Sequence, residues 1–179
     1  MQLMEETNGE GVRMRDIAKK AGISRQAVYL HFASRTELMV ATVQYVDEIK
    51  DVSGRLQKWE MAPDGLSKLN AYIDLWGNYI PEIFGIAKAL LTMKDTDEAA
   101  AATWKNRMDG LKFHCRTTIE VLHSENKLSA EWTVDEAAEL FWVLISVRNW
   151  ELLRIELGWS NEKYVQHMQT VARKMFLAS

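Results

Sequence analysis

Four polar side chains that can contact nucleic acid lie close together in the chain: Arg25, Gln26, Tyr29 and His31. A guanidinium can donate two hydrogen bonds to one guanine, and a carboxamide can exchange two hydrogen bonds with one adenine. A phenol hydroxyl and an imidazole can donate to phosphate oxygens, which orients a protein on DNA without specifying the sequence. A helix that turned these four groups outward could therefore contact both base edges and the backbone.

The surrounding sequence predicts such a helix. Residues 16–32 read DIAKKAGISRQAVYLHF, in which two short helical patterns are separated by a glycine. Gly22 can take the left-handed conformation that ends a helix, and Ser24 can accept a hydrogen bond from the first N–H groups of the next helix. In the first helix Ile17, Ala18 and Ala21 recur at helical spacing, and in the second Ala27, Val28 and Phe32 give the helix an inward face. This pattern is a helix-turn-helix, which reads DNA, and we call residues 16–32 the reader.

The distribution of charge favours the same interpretation. Residues 11–35 carry six basic side chains and one acidic side chain, a net charge of +5, and the whole chain has −3, so the remaining residues carry −8. A basic segment on an acidic protein is expected when one small face neutralises phosphates. Chance clustering of charge on a solvated helix face is the alternative.

The same stretch resembles the DNA-binding domain of the tetracycline-repressor (TetR) family of bacterial transcriptional regulators. The family pattern runs from Ile-Ala through Ala-Gly and a Ser or Thr cap to Tyr-x-His-Phe, and continues with residue types that this chain has at Arg35, Glu37 and Leu38. The resemblance implies an all-α fold, with an N-terminal helix-turn-helix domain of three helices and a C-terminal helical domain for ligand binding and dimerisation. It also implies the DNA-contacting set: Arg15, Ser24, Arg25, Gln26, Ala27, Tyr29, His31 and Arg35.

Two features depart from the family pattern. Family members carry a longer first helix, and only Met1 to Asn8 precede Gly9 here, so that helix is expected to be truncated. Either the sequence begins inside a longer protein or the affinity for DNA is reduced. In addition, Arg13 stands where the family often has a Ser or Thr cap, and the weaker capping costs about 1 kcal/mol.

The rest of the chain predicts long helices. With 179 residues, 47% apolar content and two prolines, it can bury a full core. The helix-turn-helix domain is predicted over residues 1–36, a connecting helix over 36–59, and an effector-binding and dimerisation domain over 60–179. In that last domain we expect helices over 66–80, 82–93, 96–122, 134–157 and 161–176, with Pro81 as an interruption, Gly158 as an end and Ser160 as a cap.

The helix predicted over 134–157 carries an apolar run that one face cannot accommodate. Seven of the eight residues from Leu140 to Val147 are apolar, and Ser146 is the exception. Such a helix must be buried on several sides, either in a homodimer or at the centre of a monomer. We expect a homodimer, because a helix-turn-helix repressor needs two readers about 34 Å apart on DNA. Its interface is predicted to combine this helix with the last one: Phe141, Leu144, Leu152, Ile155, Val165, Met168, Ala172 and Met175.

The chain is rich in side chains that line adaptable pockets, with seven tryptophans and nine methionines. Such residues also fill ordinary cores. Because the TetR family is ligand-responsive, the resemblance implies a pocket for a small, largely hydrophobic effector that is uncharged or weakly cationic. The predicted pocket residues are Trp76, Tyr79, Phe84, Met93, Trp104, Met108, Leu111, His114, Trp142, Ile145 and Asn149, of which His114 and Asn149 would supply polar contacts. Effector binding would rotate the helix that begins near Thr36, change the separation of the two readers and release operator DNA.

Catalytic, metal-binding and membrane patterns have little support. The sequence has no Gly-rich phosphate loop and no HExxH, so neither an enzyme nor a cofactor is expected. His114 and His123 are nine residues apart and do not share a helix face, so no metal site is expected, and Cys115 is interpreted as a packed thiol. Without a secretory signal or a run of about 20 apolar residues, we expect a bacterial cytoplasmic protein that does not contact a membrane. Two alternatives remain: a dimeric small-molecule-binding protein with weak or lost DNA binding, and a helical enzyme that uses the same aromatic cavity.

Overall fold

The computed structural model describes residues 13–178. Within that range helices follow one another along the chain, and the β pairing there is an isolated bridge between Leu128 and Leu177. The helices are α1 (Met14–Ala21), α2 (Arg25–His31), α3 (Arg35–Ile49), α4 (Val52–Glu60), α5 (Gly65–Met93), α6 (Glu98–Ser124), α7 (Val134–Leu144), α8 (Val147–Glu151), the π-helical turn Leu152–Glu156, and α9 (Asn161–Phe176). The predicted all-α fold is confirmed.

The chain forms two compact units. Unit 1 comprises residues 13–51 of the described chain with Ile83–Arg107, and unit 2 comprises Val52–Glu82 with residues 108–178. Helices α5 and α6 therefore contribute residues to both units. The domain boundary near residue 60 stays a prediction, because these units are defined by packing and do not test it.

Each unit has its own apolar core. In unit 1, one core lies beneath the reader, and a second joins α3 to the end of α5 and the start of α6 through these buried residues: Met39, Val43, Val46, Ile86, Ala89, Leu90 and Ala100. In unit 2, the largest fully buried side chains include Leu69, Tyr72, Ile73, Ile119, Leu122, Phe141, Ile145, Tyr164 and Phe176. Both cores are built from the inward faces of amphipathic helices.

The connecting helix predicted over residues 36–59 is wrong in one respect, because it is two helices. Helix α3 ends at Ile49, and Asp51 adopts a left-handed conformation with φ of 49° before α4 begins at Val52. Aspartate is among the few residues with a Cβ that tolerate this region, since its short carboxyl group can bond the local backbone. A rigid rod from residue 36 to residue 59 is therefore not part of the fold.

Pro81 does not interrupt its helix, and that prediction is wrong. Helix α5 continues from Gly65 to Met93 through the proline. A proline inside a helix removes one backbone hydrogen bond and costs about 3 kcal/mol. The flanking turns bury Tyr79, Ile80 and Ile86 almost completely. Each such side chain contributes about 1.5 to 3 kcal/mol, so the burial on both sides outweighs the lost bond.

The helix predicted over 134–157 is interrupted at the one polar residue of its apolar run. Helix α7 ends at Leu144, and Ser146 caps α8 by accepting a hydrogen bond from the Asn149 N–H at 3.2 Å. The Asn149 amide nitrogen donates to the Val143 carbonyl at 2.7 Å and so satisfies one of the last carbonyls of α7. The predicted continuous helix is therefore wrong, and a local cap explains why.

The predicted ends of the last two segments are confirmed. Thr133 caps α7 by accepting from the Glu136 N–H, and the Glu136 carboxylate accepts from the Thr133 N–H in return. Gly158 has φ of 66°, and Ser160 caps α9 by accepting from the Lys163 N–H at 3.1 Å. These are the caps expected from Ser, Thr and Gly at helix ends.

Candidate nucleic-acid interface

The turn between the two reader helices has the predicted geometry. Gly22 has φ of 70°, and the Ile23 N–H donates to the Ala18 carbonyl at 3.1 Å, which closes α1. The Ser24 hydroxyl accepts a hydrogen bond from the Ala27 N–H at 3.0 Å and thereby caps α2. Since α2 has only seven residues, a cap satisfies a large share of its unpaired N–H groups.

A small apolar core fixes which face of α2 is turned outward. Met14, Ala18 and Val28 are buried together. Three partly buried residues pack against them: Ile17, Phe32 and Leu38. The prediction that Ile17, Val28 and Phe32 are core residues is confirmed. Burial of Val28 leaves the opposite side of α2 facing solvent, because side chains on a helix repeat every 3.6 residues.

The four polar groups proposed to contact DNA lie on the part of the α2 surface that the buried Val28 leaves exposed. Arg25, Gln26, Tyr29 and His31 are exposed, and Ala27 is half-buried. The Arg25 guanidinium carbon lies 5.4 Å from the centre of the Tyr29 ring, and its Nη2 is 3.5 Å from the Tyr29 hydroxyl. This stacking holds the arginine along the helix surface while leaving most of its N–H groups available.

Two further predicted DNA-contacting residues lie outside α2. The Arg15 side chain is 72% exposed, with its Nε 3.7 Å from the Asp16 carboxylate. Arg35 is half-buried at the start of α3, and its Nη1 donates to the Met93 sulfur at 3.2 Å. Arg15 can therefore reach a phosphate as it stands, whereas Arg35 would have to turn away from Met93.

Two arrangements that support the reader were not predicted. Ser34 caps α3 by accepting from the Glu37 N–H at 3.0 Å, and the Glu37 carboxylate accepts from the Ala33 N–H at 2.6 Å. A capping box would need the Glu37 carboxylate to accept from the Ser34 N–H itself, but the Ser-x-x-Glu spacing could still have revealed the Ser34 cap. The Thr36 hydroxyl also donates to the Asp97 carboxylate, and no sequence pattern marks that bond because the two residues are far apart in the chain.

The unusual cap position behaves as predicted. Arg13 is the N-cap residue of α1 and its side chain makes no capping bond. The Asp16 carboxylate accepts from the Arg13 backbone N–H at 3.3 Å, which supplies half of a capping box. The predicted truncation of the preceding helix concerns Met1 to Asn8, which lie outside the described residues.

The residues predicted to bind an effector are divided between the two units. Phe84, Met93 and Trp104 belong to unit 1, where Met93 and Trp104 pack against the core of α3. The other eight belong to unit 2. Of these, Tyr79, Leu111 and Ile145 are buried, while Trp76, Met108, His114, Trp142 and Asn149 are half-buried.

A group of rings in tilted and edge-to-face contact in unit 2 contains three of the predicted residues. His114 lies 4.8 Å from the Trp59 ring and 5.7 Å from the Tyr72 ring. Trp76 lies 6.2 Å from Tyr72 and 5.8 Å from Tyr79. We call these five residues the aromatic cluster. Trp59 and Tyr72 were missed at the sequence level, because a buried aromatic residue in a helix has the same pattern whether it lines a pocket or fills a core.

The polar atoms of the aromatic cluster are mostly paired within the protein. The Trp59 indole donates to the Thr118 hydroxyl at 2.8 Å, and the Tyr72 hydroxyl is 3.5 Å from the Leu111 carbonyl oxygen. Burial lowers the pKa of His114, although the Glu60 carboxylate opposes the shift. His114 is therefore a neutral imidazole at pH 7, and the cluster is an apolar surface with one weakly polar ring. Asn149 is not available as the second polar contact in its present position, since it bonds the end of α7.

The residues predicted to form a dimer interface differ in how much surface they expose. Phe141, Val165, Met168 and Ala172 are buried within unit 2 itself. Leu144 and Met175 are half-buried, and Leu152 and Ile155 are exposed. The four buried side chains have almost no surface left to bury against a partner. Of the predicted interface residues, only Leu152 and Ile155 are exposed to solvent.

The described residues form neither a membrane-spanning helix nor a cluster of metal ligands. No helix between residues 13 and 178 is long and apolar enough to cross a membrane. Over the same range, His, Cys, Asp and Glu do not gather in groups of three that could hold a metal ion. Cys115 is buried, and its burial raises the thiol pKa, so the thiol is protonated and weakly reactive at neutral pH.

Comparison with known proteins identifies the N-terminal segment. The model of the family "Bacterial regulatory proteins, tetR family" matches residues 1–42. No curated protein matches the chain. Three similar solved structures share its fold. A protein from Saccharomonospora viridis described as a transcriptional regulator in complex with choline is 16% identical, with a TM-score of 0.81 over 98% of this chain and 96% of that chain.

Two other neighbours are described as TetR regulators. The one from Haloarcula marismortui is 15% identical, with a TM-score of 0.70 over 99% of this chain and 100% of that chain. The one from a Rhodococcus species is 18% identical, with a TM-score of 0.69 over 96% of this chain and 91% of that chain. The chain therefore carries the N-terminal domain of the TetR family and has, over the residues that the structure describes, the all-helical fold of TetR-family transcriptional regulators.

Proposed function

We propose that this protein is a ligand-responsive transcriptional repressor that binds operator DNA as a homodimer and is released by a small, largely hydrophobic effector. The observation that carries the proposal is the solvent-facing side of α2, where Arg25, Gln26, Tyr29 and His31 are exposed above a buried Val28. Such an arrangement exposes hydrogen-bonding groups at no cost to the core. As a protein that acts on operator DNA, it would work in the bacterial cytoplasm.

The exposed groups have distinct roles in this proposal. Arg25 and Gln26 would bond base edges in the major groove, where each bidentate pair contributes about 1 to 3 kcal/mol of discrimination between bases. Tyr29 and His31 would donate to phosphates and fix the register of the helix. Arg15 would add a phosphate contact that depends on salt but not on sequence.

A homodimer is part of the proposal because one reader covers only half of an operator. A helix of seven residues contacts a few base pairs. Two copies separated by one DNA turn, about 34 Å, bind a symmetric site, and the sequence preference of the dimer combines the preferences of its two readers. The operator would therefore be a palindrome or close to one.

The test is a binding assay with DNA from upstream of the protein's own gene. We expect the full chain to shift this DNA with sequence preference, and to lose affinity steeply as salt rises. Gln26→Ala should reduce the preference for one base pair in each half-site, while the matched control Gln57→Ala, exposed on α4, should leave binding unchanged. Equal binding to unrelated DNA would overturn the proposal, and ligand binding without any DNA binding would support the dimeric small-molecule-binding protein instead.

We propose that the effector binds at the aromatic cluster of unit 2. Ring faces provide apolar contacts and also attract cations. Trp76 and His114 are the half-buried members of the cluster, so an effector would enter beside them. His114 is neutral, but Lys68 Nζ lies 4.5 Å from the centre of the Trp59 ring and the Arg55 guanidinium carbon 5.4 Å from the centre of the Tyr79 ring. A cationic effector would therefore have to bind at ring faces that these two side chains do not cover. The structural neighbour that holds choline makes a quaternary ammonium compound a suitable first probe for a weakly cationic effector.

The effector site can be tested by titrating the protein with choline and with its uncharged isostere 3,3-dimethylbutan-1-ol. We expect saturable binding of at least one probe, abolished by Trp76→Ala and unaffected by Trp159→Ala, which lies outside the cluster. Preference for choline would indicate a cation–π site, and preference for the alcohol would indicate an apolar one. If neither compound bound, or if both variants behaved alike, the aromatic cluster would not be an effector site for this class of molecule.

A further inference from the structure

A groove on unit 2 has an arrangement of charge that suggests its occupant. The groove has a volume of about 530 Å³ and lies between α6 and α7. Its α6 side carries the basic residues Lys112 and Arg116. Its α7 side carries the acidic residues Asp135, Glu136 and Glu139. One wall is therefore basic and the other acidic.

Two of these charged groups have neither an ion pair nor a side-chain hydrogen bond within the described chain. Arg116 bonds Asp135 across the groove, and the Glu136 carboxylate bonds Thr133. Lys112 instead lies 4.4 Å above the centre of the Trp142 ring, which also lines the groove. Among residues 13–178, neither Lys112 nor Glu139 forms a salt bridge. The groove thus presents one cation on its α6 side and one anion on its α7 side.

The acidic side of the groove also carries apolar side chains. Val143 is 47% exposed and Leu140 is 36% exposed, although both belong to a helix whose other face is buried. Val143 and Leu140 line the same groove as Trp142. Exposed apolar side chains beside unpaired charges are the composition of a protein interface, in which the charges set the orientation of the partner.

We propose that this groove is the interface of the homodimer, and that Lys112 pairs with Glu139 of the partner subunit. The proposal rests on the homodimer of the proposed function and names its face. A two-fold axis that runs along the groove places the α6 side of one copy against the α7 side of the other. The basic wall of each copy then meets the acidic wall of its partner, so a single patch is complementary to itself and the pairing occurs twice.

Charge reversal tests this pairing directly. Lys112→Glu places acidic residues opposite each other at both symmetric positions, and Glu139→Lys places basic residues there. We expect each variant to raise the dimer dissociation constant at least tenfold in sedimentation equilibrium, because like charges across an interface suppress association. The double variant K112E/E139K should recover dimerisation. The control Lys58→Glu, an exposed position on α4, should leave it unchanged.

A mixture of the two single variants provides the sharper readout. The K112E chain carries two acidic residues at these positions and the E139K chain two basic ones, so each opposes itself and complements the other. We expect the mixture to form a heterodimer, which a role for either residue in the fold of one chain would not produce. Circular dichroism of each variant checks that the fold is retained.

Three results would overturn the inference. Charge-reversal variants that dimerise like the wild type would show that the interface lies elsewhere. The same conclusion would follow if Leu152→Asp abolished dimerisation while both charge reversals left it unchanged. Failure of the mixture to associate would refute the Lys112–Glu139 pairing. In each case operator binding by the wild-type dimer would leave the proposed function standing, whereas a monomeric wild type that ignores DNA would remove both.

Discussion

Replacing Asp97 by alanine tests how the fold supports the segment that follows the reader. The Asp97 carboxylate caps α6 by accepting from the Ala99 N–H at 3.0 Å and the Ala100 N–H at 3.1 Å. Its other oxygen accepts from the Thr36 hydroxyl at the start of α3. Thr36 is only 4% exposed, so its hydroxyl cannot turn to water if the carboxylate is removed. Both bonds lie inside unit 1.

The magnitude follows from these contacts. Loss of an N-cap costs about 1 kcal/mol, and a buried hydroxyl without an acceptor costs about 1 to 3 kcal/mol. We therefore expect Asp97→Ala to lower the free energy of unfolding by about 2 to 4 kcal/mol. Asp97→Asn keeps one acceptor oxygen, which can serve the cap or Thr36 but not both, so it should cost less than Asp97→Ala without restoring the wild-type stability. The neighbouring exposed control Asp95→Ala should stay within about 0.5 kcal/mol of the wild type.

Urea unfolding at fixed protein concentration, followed by circular dichroism, measures these differences. Thr36→Val in the Asp97→Ala background removes the unpaired hydroxyl, so the double variant should be more stable than the sum of the two single changes predicts. Additive costs would refute the reasoning, since they would mean that the two residues do not interact. Equal costs for Asp97→Ala and Asp97→Asn would show that neither the cap nor the acceptor matters.

The same bond predicts a dependence on pH. The hydrogen bond from Thr36, followed by the bond from the Ala100 N–H, lowers the pKa of Asp97. A carboxyl group whose pKa is lower in the folded state stabilises the fold above its unfolded pKa, and this stabilisation is lost as pH falls through the folded pKa. Asp97→Asn should therefore reduce the loss of stability in acid. An unchanged acid transition in that variant would mean that Asp97 does not drive it.

Three further predictions concern single positions. Gly77→Ala should destabilise unit 2 by about 1 to 3 kcal/mol, because the new Cβ would lie 2.5 Å from a Val165 methyl carbon. Gly110→Ala has open space around it and should stabilise α6 by about 0.5 to 1 kcal/mol. Thermal unfolding of both variants checks these two expectations, and equal shifts would contradict the packing argument. Ser24→Ala removes the cap of α2 and should lower the free energy of unfolding by about 1 kcal/mol, as measured by unfolding. It should also weaken operator binding, as measured by DNA titration. An unchanged affinity for DNA would show that the cap does not shape the reader. Burial lowers the pKa of His114, so the folded protein binds fewer protons than the unfolded chain. Its stability should therefore fall as pH drops through and below about 6.5. His114→Phe should remove that part of the pH dependence of stability, and a variant whose pH profile is identical to that of the wild type would refute the role of His114.

The sequence predicts the reader well because its structure is determined locally. Gly22 and Ser24 act on the backbone within four residues of themselves, and Val28 needs only neighbouring α1 residues to be buried. Every contact in that argument is short in sequence, so residue types and spacing are sufficient. By contrast, the bond between Thr36 and Asp97 spans sixty-one residues, and no local pattern encodes it.

The effector cluster and the dimer face were less predictable for a different reason. Periodicity tells which residues of a helix face inward but not what lies opposite them. Phe141 and Val143 both belong to the apolar run of α7, yet the first is fully buried within the chain and the second is 47% exposed. Which of them is free to meet a partner depends on how α7 packs in unit 2, and that is decided by residues distant in sequence.

The errors in predicted helix ends share one physical cause, which is competition between local backbone bonding and burial. At Ser146 and Asp51 local bonding prevails over continuation of the helix. Ser146 accepts a hydrogen bond from the Asn149 N–H, and Asp51 adopts a left-handed backbone conformation. Short polar side chains favour such alternatives to the helix. At Pro81 burial prevails, because the chain gains more from two packed flanks than it loses from one missing bond. A polar residue inside an apolar run is thus a better indicator of a helix end in this chain than a proline. The one polar residue between Leu140 and Val147 divides the segment predicted to form the dimer interface, so that α7 ends at Leu144 and a second helix begins at Val147.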